Sequence, residues 1–411
     1  MSDRVFLSGA SLIMPGRIMT GHTLVLEGGR IVDLVADPRW GASSDVRFHL
    51  PGHFVMPGFI DVHVHGIGGH DVQDGAEGLA SVAAMLPRHG VTAFCPTSIA
   101  CSPDALSEFL GNVQDLRRFR RPVDARVLGA HVESNFINTD YRGAQPAACL
   151  RIPDPTAPDP EGASGAFTAA DVTAVLDLHR PDVGILTLAP ELPGGLALIR
   201  HFTGSSVRVS LGHSAANFDM AEEAIAAGAC HATHLFNRMP PMTHRDPGLA
   251  GAVLASDAVA AELIADGHHV HPAFLQMAIA TKGVAHVMAI TDGTAGSGLP
   301  QGSRTRLGGR AITVADVARL DDGTSAGSVA TMDAVFRHLV GVCGIDICDA
   351  AQLCSTTPAR ELGLNGFGAI APGSAADLVV LDASLNVVQT WIAGILAWCG
   401  TSTRPEPSSS S

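Results

Sequence analysis

Two histidines two residues apart, His63 and His65, stand near the end of the run Pro57-Gly58-Phe59-Ile60-Asp61-Val62-His63-Val64-His65-Gly66. If that run is a β-strand, alternate side chains project to one face, and the two imidazoles can share a metal ion. Ordinary hydrogen bonding satisfies an isolated His-x-His pair more often than a metal does, so its meaning depends on ligands that arrive from elsewhere. Candidates recur at the ends of other apolar runs: His131 and Glu133, then His213, His234 and Asp292. Each has a structural alternative, such as a core histidine, a paired carboxylate or a helix cap. Together they form a set that binds Zn²⁺ or Fe²⁺ and moves protons. A metal there would lower the pKa of a bound water toward about 7, and hydrolysis of an amide or ester would follow. Asp292 beside that water could take its proton and return it to the leaving group.

The elements that must position these groups are legible in the hydrophobic pattern. Between two β-rich ends, strand-like runs alternate with helical stretches, and the candidate strands cover 59–65, 91–97, 126–133, 184–191, 207–213, 230–236, 261–266 and 286–292. This predicts an α/β fold, a (β/α)8 barrel of the TIM type, whose catalytic groups sit at the C-terminal ends of the strands. A helix is expected over 217–227, stopping at Gly228. A Pro- and Gly-rich stretch, 151–165, reads as a loop near the barrel mouth. Short apolar segments at 5–7, 23–26 and 30–35, and at 377–381, 387–390 and 391–396, predict a small β-sandwich built from both ends. The expected division is 1–56 with 365–411 for the sandwich and 57–364 for the barrel, and the Ser- and Pro-rich 401–411 is expected to be disordered.

A chain of 411 residues with 46% hydrophobic content can bury a large core, and a net charge of −14 argues against nonspecific nucleic-acid binding. No charged apolar leader and no long apolar run is present, so no membrane association and a cytoplasmic location are expected. The eight cysteines lack a Cys-x-x-Cys pair and fit reduced thiols. Lys282 is the only lysine.

The strings PGFIDVHVHG, HVESNFIN, GHSAANFD, ATHLFNRM, GLAGAVLAS, IADGHHV, ITDGT and SAGSVATMD, in this order, resemble the motifs of the N-acetylglucosamine-6-phosphate deacetylase family of the amidohydrolase superfamily. The resemblance implies that Glu133, His213 and His234 bind a principal divalent metal and that His63 and His65 hold a second, with Glu133 bridging and Asp292 close to metal and water. One or two ions per subunit are expected, zinc first, with iron, cobalt or manganese as alternatives. It further implies that Asn237, His269 and Arg245, with the backbone of Ala326, Gly327 and Ser328, hold a sugar phosphate, and that Arg245 reaches across a homodimer interface. Three departures stand out: Ser134-Asn135 replaces the usual Gly-Pro after the glutamate, Gln145 stands where many members polarise the carbonyl with histidine, and Arg238 replaces a small residue. Gln145 can still donate a hydrogen bond to the substrate carbonyl. Other superfamily members bridge two metals with a carbamylated lysine on strand four, and 184–191 contains no lysine. The expected reaction is deacetylation of N-acetylglucosamine 6-phosphate. The alternatives are its galactosamine epimer, another small N-acyl compound, or a scaffold without catalysis.

Overall fold

The computed structural model describes residues 4–36 and 46–400. Its centre is a ring of parallel strands: Phe59–Val64, Val91–Ser98, Ala130–Glu133, Val183–Leu188, Arg208–Leu211, His231–Ala232, Ala260–Ile264 and Val287–Ile290. Successive strands pair in parallel register. The last meets the first where Asp292 N–H donates to His63 O (3.0 Å) and His65 N–H to Gly293 O (2.7 Å), so the barrel is nearly closed. These strands are buried on both faces, which is why they read as continuous apolar runs rather than alternating ones. Every expected barrel strand is present. Most stop short of the expected C-terminal limit, because their last residues leave the ladder to turn into the mouth.

The helix expected over 217–227 is Phe218–Ala227: Asn217 accepts the Met220 N–H at its start, and Gly228 at φ 117° ends it. Strand three is interrupted, with Arg126–Val127 separated from Ala130–Glu133. At the break, a Cβ on Gly129 would lie 2.6 Å from Gly184 N, so only glycine permits this approach of the two backbones. The stretch 151–165 has neither helix nor strand, yet it is anchored by Arg151, whose buried guanidinium donates to the carbonyls of Ala148, Leu150, Ser164 and Phe167.

Both ends of the chain build small β-sheets beside the barrel. One sheet joins Ser11–Met14, Arg17–Met19 and Phe54–Pro57 to Leu378–Leu381, Val387–Ile392 and Ile395–Cys399; the other holds Val5–Ser8, His22–Glu27, Arg30–Ala36 and Val46–His49. Leu7, Leu24, Val55, Leu378 and Trp391 share one apolar core between them. The strand Phe54–Pro57 runs one residue past the expected division. The segment 391–396 is not one strand: Ala393 and Gly394, at φ 49° and 71°, form a tight turn between two. Arg126 ties barrel to sheet through a two-pronged pair with Asp377 at 2.6 and 3.0 Å. A further antiparallel sheet, Arg304–Leu307, Arg310–Val314 and Ala318–Leu320, follows the eighth strand and was not expected from the sequence. The expectation for 401–411 lies outside the described residues. Among the described residues no helix is long and apolar enough to cross a membrane.

Candidate metal centre and active site

The C-terminal strand ends bring Glu133, His213, His234, His63, His65 and Asp292 together; all but His63, which is buried beneath them, line a cavity of about 400 Å³. Glu133 Oε1 lies 3.0 Å from His213 Nε2 and 3.2 Å from His234 Nε2, and those two nitrogens are 3.0 Å apart. On the other side, His65 Nε2 lies 3.6 Å from Glu133 Oε2, 3.2 Å from Asp292 Oδ1 and 3.3 Å from His63 Nε2. Glu133 therefore belongs to two buried triads, one with His213 and His234 and one with His63 and His65, an arrangement able to hold two ions.

The donor set fits a cation on physical grounds. His65 Nδ1 donates to Thr97 O (2.9 Å) and His213 Nδ1 to Tyr141 O (2.8 Å), so in each neutral ring the Nε2 lone pair faces inward. Inward lone pairs meet the carboxylates of Glu133 and Asp292, which is repulsive unless positive charge lies between them. The demand for that charge is visible in the titration of the groups. Burial opposes a charged His65, but Asp292 and Glu133 outweigh it and raise the imidazole to about 9. Burial likewise opposes ionisation of Glu133, yet the surrounding histidines, His213 first, hold it well below the usual carboxylate range.

Backbone conformation aims these groups. His213, His234, Phe236, Arg238 and Asp292 all have φ between 33° and 76°, a left-handed region that non-glycine residues avoid. Each follows a barrel strand, where the chain must turn outward while a side chain keeps pointing to the axis. Ser328 helps fix one such turn: its N–H donates to Asp292 O (2.8 Å) and its hydroxyl to Thr291 O (2.6 Å).

The remaining expected site residues divide into two groups. Asn237, His269, Gln145, Ala326 and Gly327 line the cavity. Ser328 is fully buried behind it, so its part is to support Asp292 rather than to form the wall. Arg245 is exposed and does not line the cavity of its own chain. Gln145 is more engaged than expected, because its amide donates to Glu133 Oε2 (2.6 Å) and accepts from Ala100 N–H (2.8 Å). His131, at the end of strand three, does not join the floor: its nitrogens lie against Val62 O (3.1 Å) and Thr187 Oγ1 (2.7 Å) inside the barrel.

Two acids outside the expected set, Glu262 and Asp266, support the site. Glu262 Oε2 sits 3.0 Å from His63 Nδ1 and 3.3 Å from His234 N, behind both triads, and burial pushes its carboxyl well above the usual range. Asp266 bonds His269 Nδ1 at 2.7 Å. Burial opposes protonation of His269, and Asp266 overcomes it, raising the imidazole above its ordinary value. The signal for Glu262 was present: it is the one acid in the otherwise apolar strand Ala260–Ile264.

Residues 54–396 match the model of the amidohydrolase family. The chain is 38% identical over 405 residues to N-acetylglucosamine-6-phosphate deacetylase of Rattus norvegicus, covering 93% of this chain and 94% of that protein. It is 34% identical over 345 residues to N-acetylgalactosamine-6-phosphate deacetylase of Escherichia coli O157:H7, covering 84% and 87%. Its fold superposes with a TM-score of 0.85, at 32% identity and covering 96% of this chain and 99% of the other, on a mutant of N-acetyl-D-glucosamine-6-phosphate deacetylase from Mycobacterium smegmatis in complex with N-acetyl-D-glucosamine-6-phosphate. A family match across nearly the whole barrel, on a chain whose strand ends converge in this way, leaves one conclusion: the chain belongs to the amidohydrolase family.

Proposed function

We infer that this chain hydrolyses the acetamide of N-acetylglucosamine 6-phosphate, releasing acetate and glucosamine 6-phosphate. The observation that carries the reading is Glu133, whose two oxygens join two histidine pairs at the floor of a cavity that His269 and Asn237 also line. A divalent ion on Glu133, His213 and His234, with a second on His63 and His65, would supply an activated water near neutral pH and polarise the acetyl carbonyl. Zinc suits this set of nitrogen and oxygen donors, which iron, cobalt and manganese also accept.

The chain's own residues carry the protons and the orientation. Asp292 accepts the proton of the attacking water and delivers it to the nitrogen as the C–N bond breaks. Gln145 spends one amide N–H on Glu133, and its second N–H remains as a donor to the developing oxyanion. His269, oriented by Asp266 through Nδ1, binds the phosphate together with Asn237 and the backbone of Ala326 and Gly327. Arg245 completes that subsite from the neighbouring copy of a homodimer, in keeping with its exposure in the single chain.

Acetate release from N-acetylglucosamine 6-phosphate, its galactosamine epimer and both unphosphorylated sugars, with metal analysis of the same preparation, tests this. The gluco phosphate should give the highest kcat/KM. The relative from Escherichia coli O157:H7 favours the galacto epimer as second reading, and a higher kcat/KM on that sugar would select it.

A further inference from the structure

We propose that Arg238 is a cationic anchor for the substrate's phosphate, supplied by the same chain that supplies the metal ligands. The proposal rests on the phosphorylated-sugar reading above. Arg238 lies four residues after His234 and lines the cavity with Asn237, His269 and Ser325. Its guanidinium carries five N–H donors, and the side chain makes one hydrogen bond among the described residues, from Nη2 to Ser325 O at 3.2 Å. No carboxylate lies within ion-pair distance of it among the described residues, so it is not the rim ion pair that would otherwise explain an arginine here.

The seat for this guanidinium is built. A Cβ on Gly143 would come 2.5 Å from Arg238 Nε and 2.9 Å from its Cζ, so the arginine lies directly over a glycine backbone that has φ 58°. Arg238 itself is held at φ 54°, which directs its side chain away from an ordinary strand or helix path. Ser325 links it to His269: Ser325 O accepts from Arg238, and Ser325 Oγ lies 3.4 Å from His269 Nε2. The guanidinium is thus placed beside an imidazole on the same wall, and Arg238 works against the raised pKa of His269. A guanidinium held at a cavity wall without a counter-ion is stabilised when an anion enters beside it. In a protein of net charge −14 such a local charge is what makes a phosphorylated ligand welcome. A phosphate dianion matches the fork geometry of arginine and its strong charge-assisted bonds. Because Arg238 is in cis, recognition of the phosphate does not depend wholly on Arg245 of a second copy.

The test compares kcat/KM for N-acetylglucosamine 6-phosphate and N-acetylglucosamine on each of wild type, Arg238→Ala, Arg238→Lys and Arg245→Ala. Both sugars are assayed on one preparation, so the ratio of the two constants is independent of how much of a variant has folded. Arg238→Ala should lower that ratio by about 10- to 100-fold, the scale of one charged hydrogen-bonding group. Arg238→Lys should restore part of it, as a point charge without the fork. An unchanged ratio in Arg238→Ala overturns the proposal and leaves the residue a tether for Ser325. Calorimetric titration with glucose 6-phosphate, which has no acetamide, separates the anchor from the reaction. Weaker binding to Arg238→Ala than to wild type upholds the anchor even if wild type releases no acetate, and equal binding overturns it.

Discussion

We propose Asp292, a carboxylate lining the cavity, as the group that carries a proton from water to the leaving nitrogen. Glu133 is engaged by His213, His234 and Gln145 together, whereas the ion-pair partners of Asp292 among the described residues are His63 and His65, both at one oxygen. Asp292→Asn should therefore lower acetate release by about 10²- to 10⁴-fold, the usual scale of general acid–base catalysis. Metal analysis should find the ion of the Glu133, His213 and His234 triad retained, and its loss would mean that Asp292 acts mainly as a ligand. Glu262 offers a subtler change. An isosteric Glu262→Gln replaces the carboxyl group behind His63 with an amide while leaving all three residues of the first triad in place, and such supporting carboxyls are worth about 10- to 100-fold in metal affinity. Dialysis against a graded chelator should strip one ion per subunit from the variant earlier than from wild type. Histidines and acids at strand ends could be read from spacing, because a polar residue closing an apolar run has few structural uses. Glu262 and Asp266 are less legible: a lone acid in an apolar strand marks Glu262, but the partners of the two acids, His63 and His269, are set by the folded structure.

Among the elements, the barrel strands were legible because burial on both faces demands unbroken apolar runs. Their ends were less so, because the turn into the mouth is taken by residues such as His213 and Asp292, whose left-handed backbone no composition rule anticipates. The antiparallel sheet after the eighth strand escaped notice because Arg304–Leu307 alternates charged and small polar side chains over one buried leucine. Its Gly308-Gly309 turn, both residues at positive φ, was the available signal. The loop that carries Ala326 to Ser328 is similarly tight: Gly327 has φ 91°, and a Cβ there would lie 2.9 Å from Asp292 O. Gly327→Ala should cost about 1–3 kcal/mol by thermal denaturation and lower kcat with it, through displacement of Asp292. Helix Met332–Gly341 is pinned to the turn before strand two by Asp333, which pairs with His89 at 2.9 Å. Burial pushes the Asp333 carboxyl up, but His89 and Arg337 outweigh it and bring it from 3.8 down to about 2. A carboxyl lowered by folding stabilises the protein above its unfolded pKa, and that contribution fades as pH falls through about 2. Asp333→Asn should thus cost about 2 kcal/mol near neutral pH, and the difference in denaturant midpoint should vanish toward about pH 2.

For the molecule as a whole, the two chain ends are one structural commitment. Leu378–Leu381 lies between Phe54–Pro57 and Val387–Ile392, so the core containing Leu7 and Val55 is incomplete without residues that arrive more than three hundred positions later. A chain ending at Ala376 should fail to show a cooperative thermal transition. The largest consequence concerns the left-handed residues around the mouth. A non-glycine residue in that conformation costs about 1–2 kcal/mol, and five of them ring one cavity. The barrel therefore keeps its chemistry at the expense of its own ruggedness, and selection for heat tolerance alone would erode it. Glycine at position 292 relieves the backbone and deletes the acid, so a library screened only for survival on heating should enrich inactive barrels that outlast their parent.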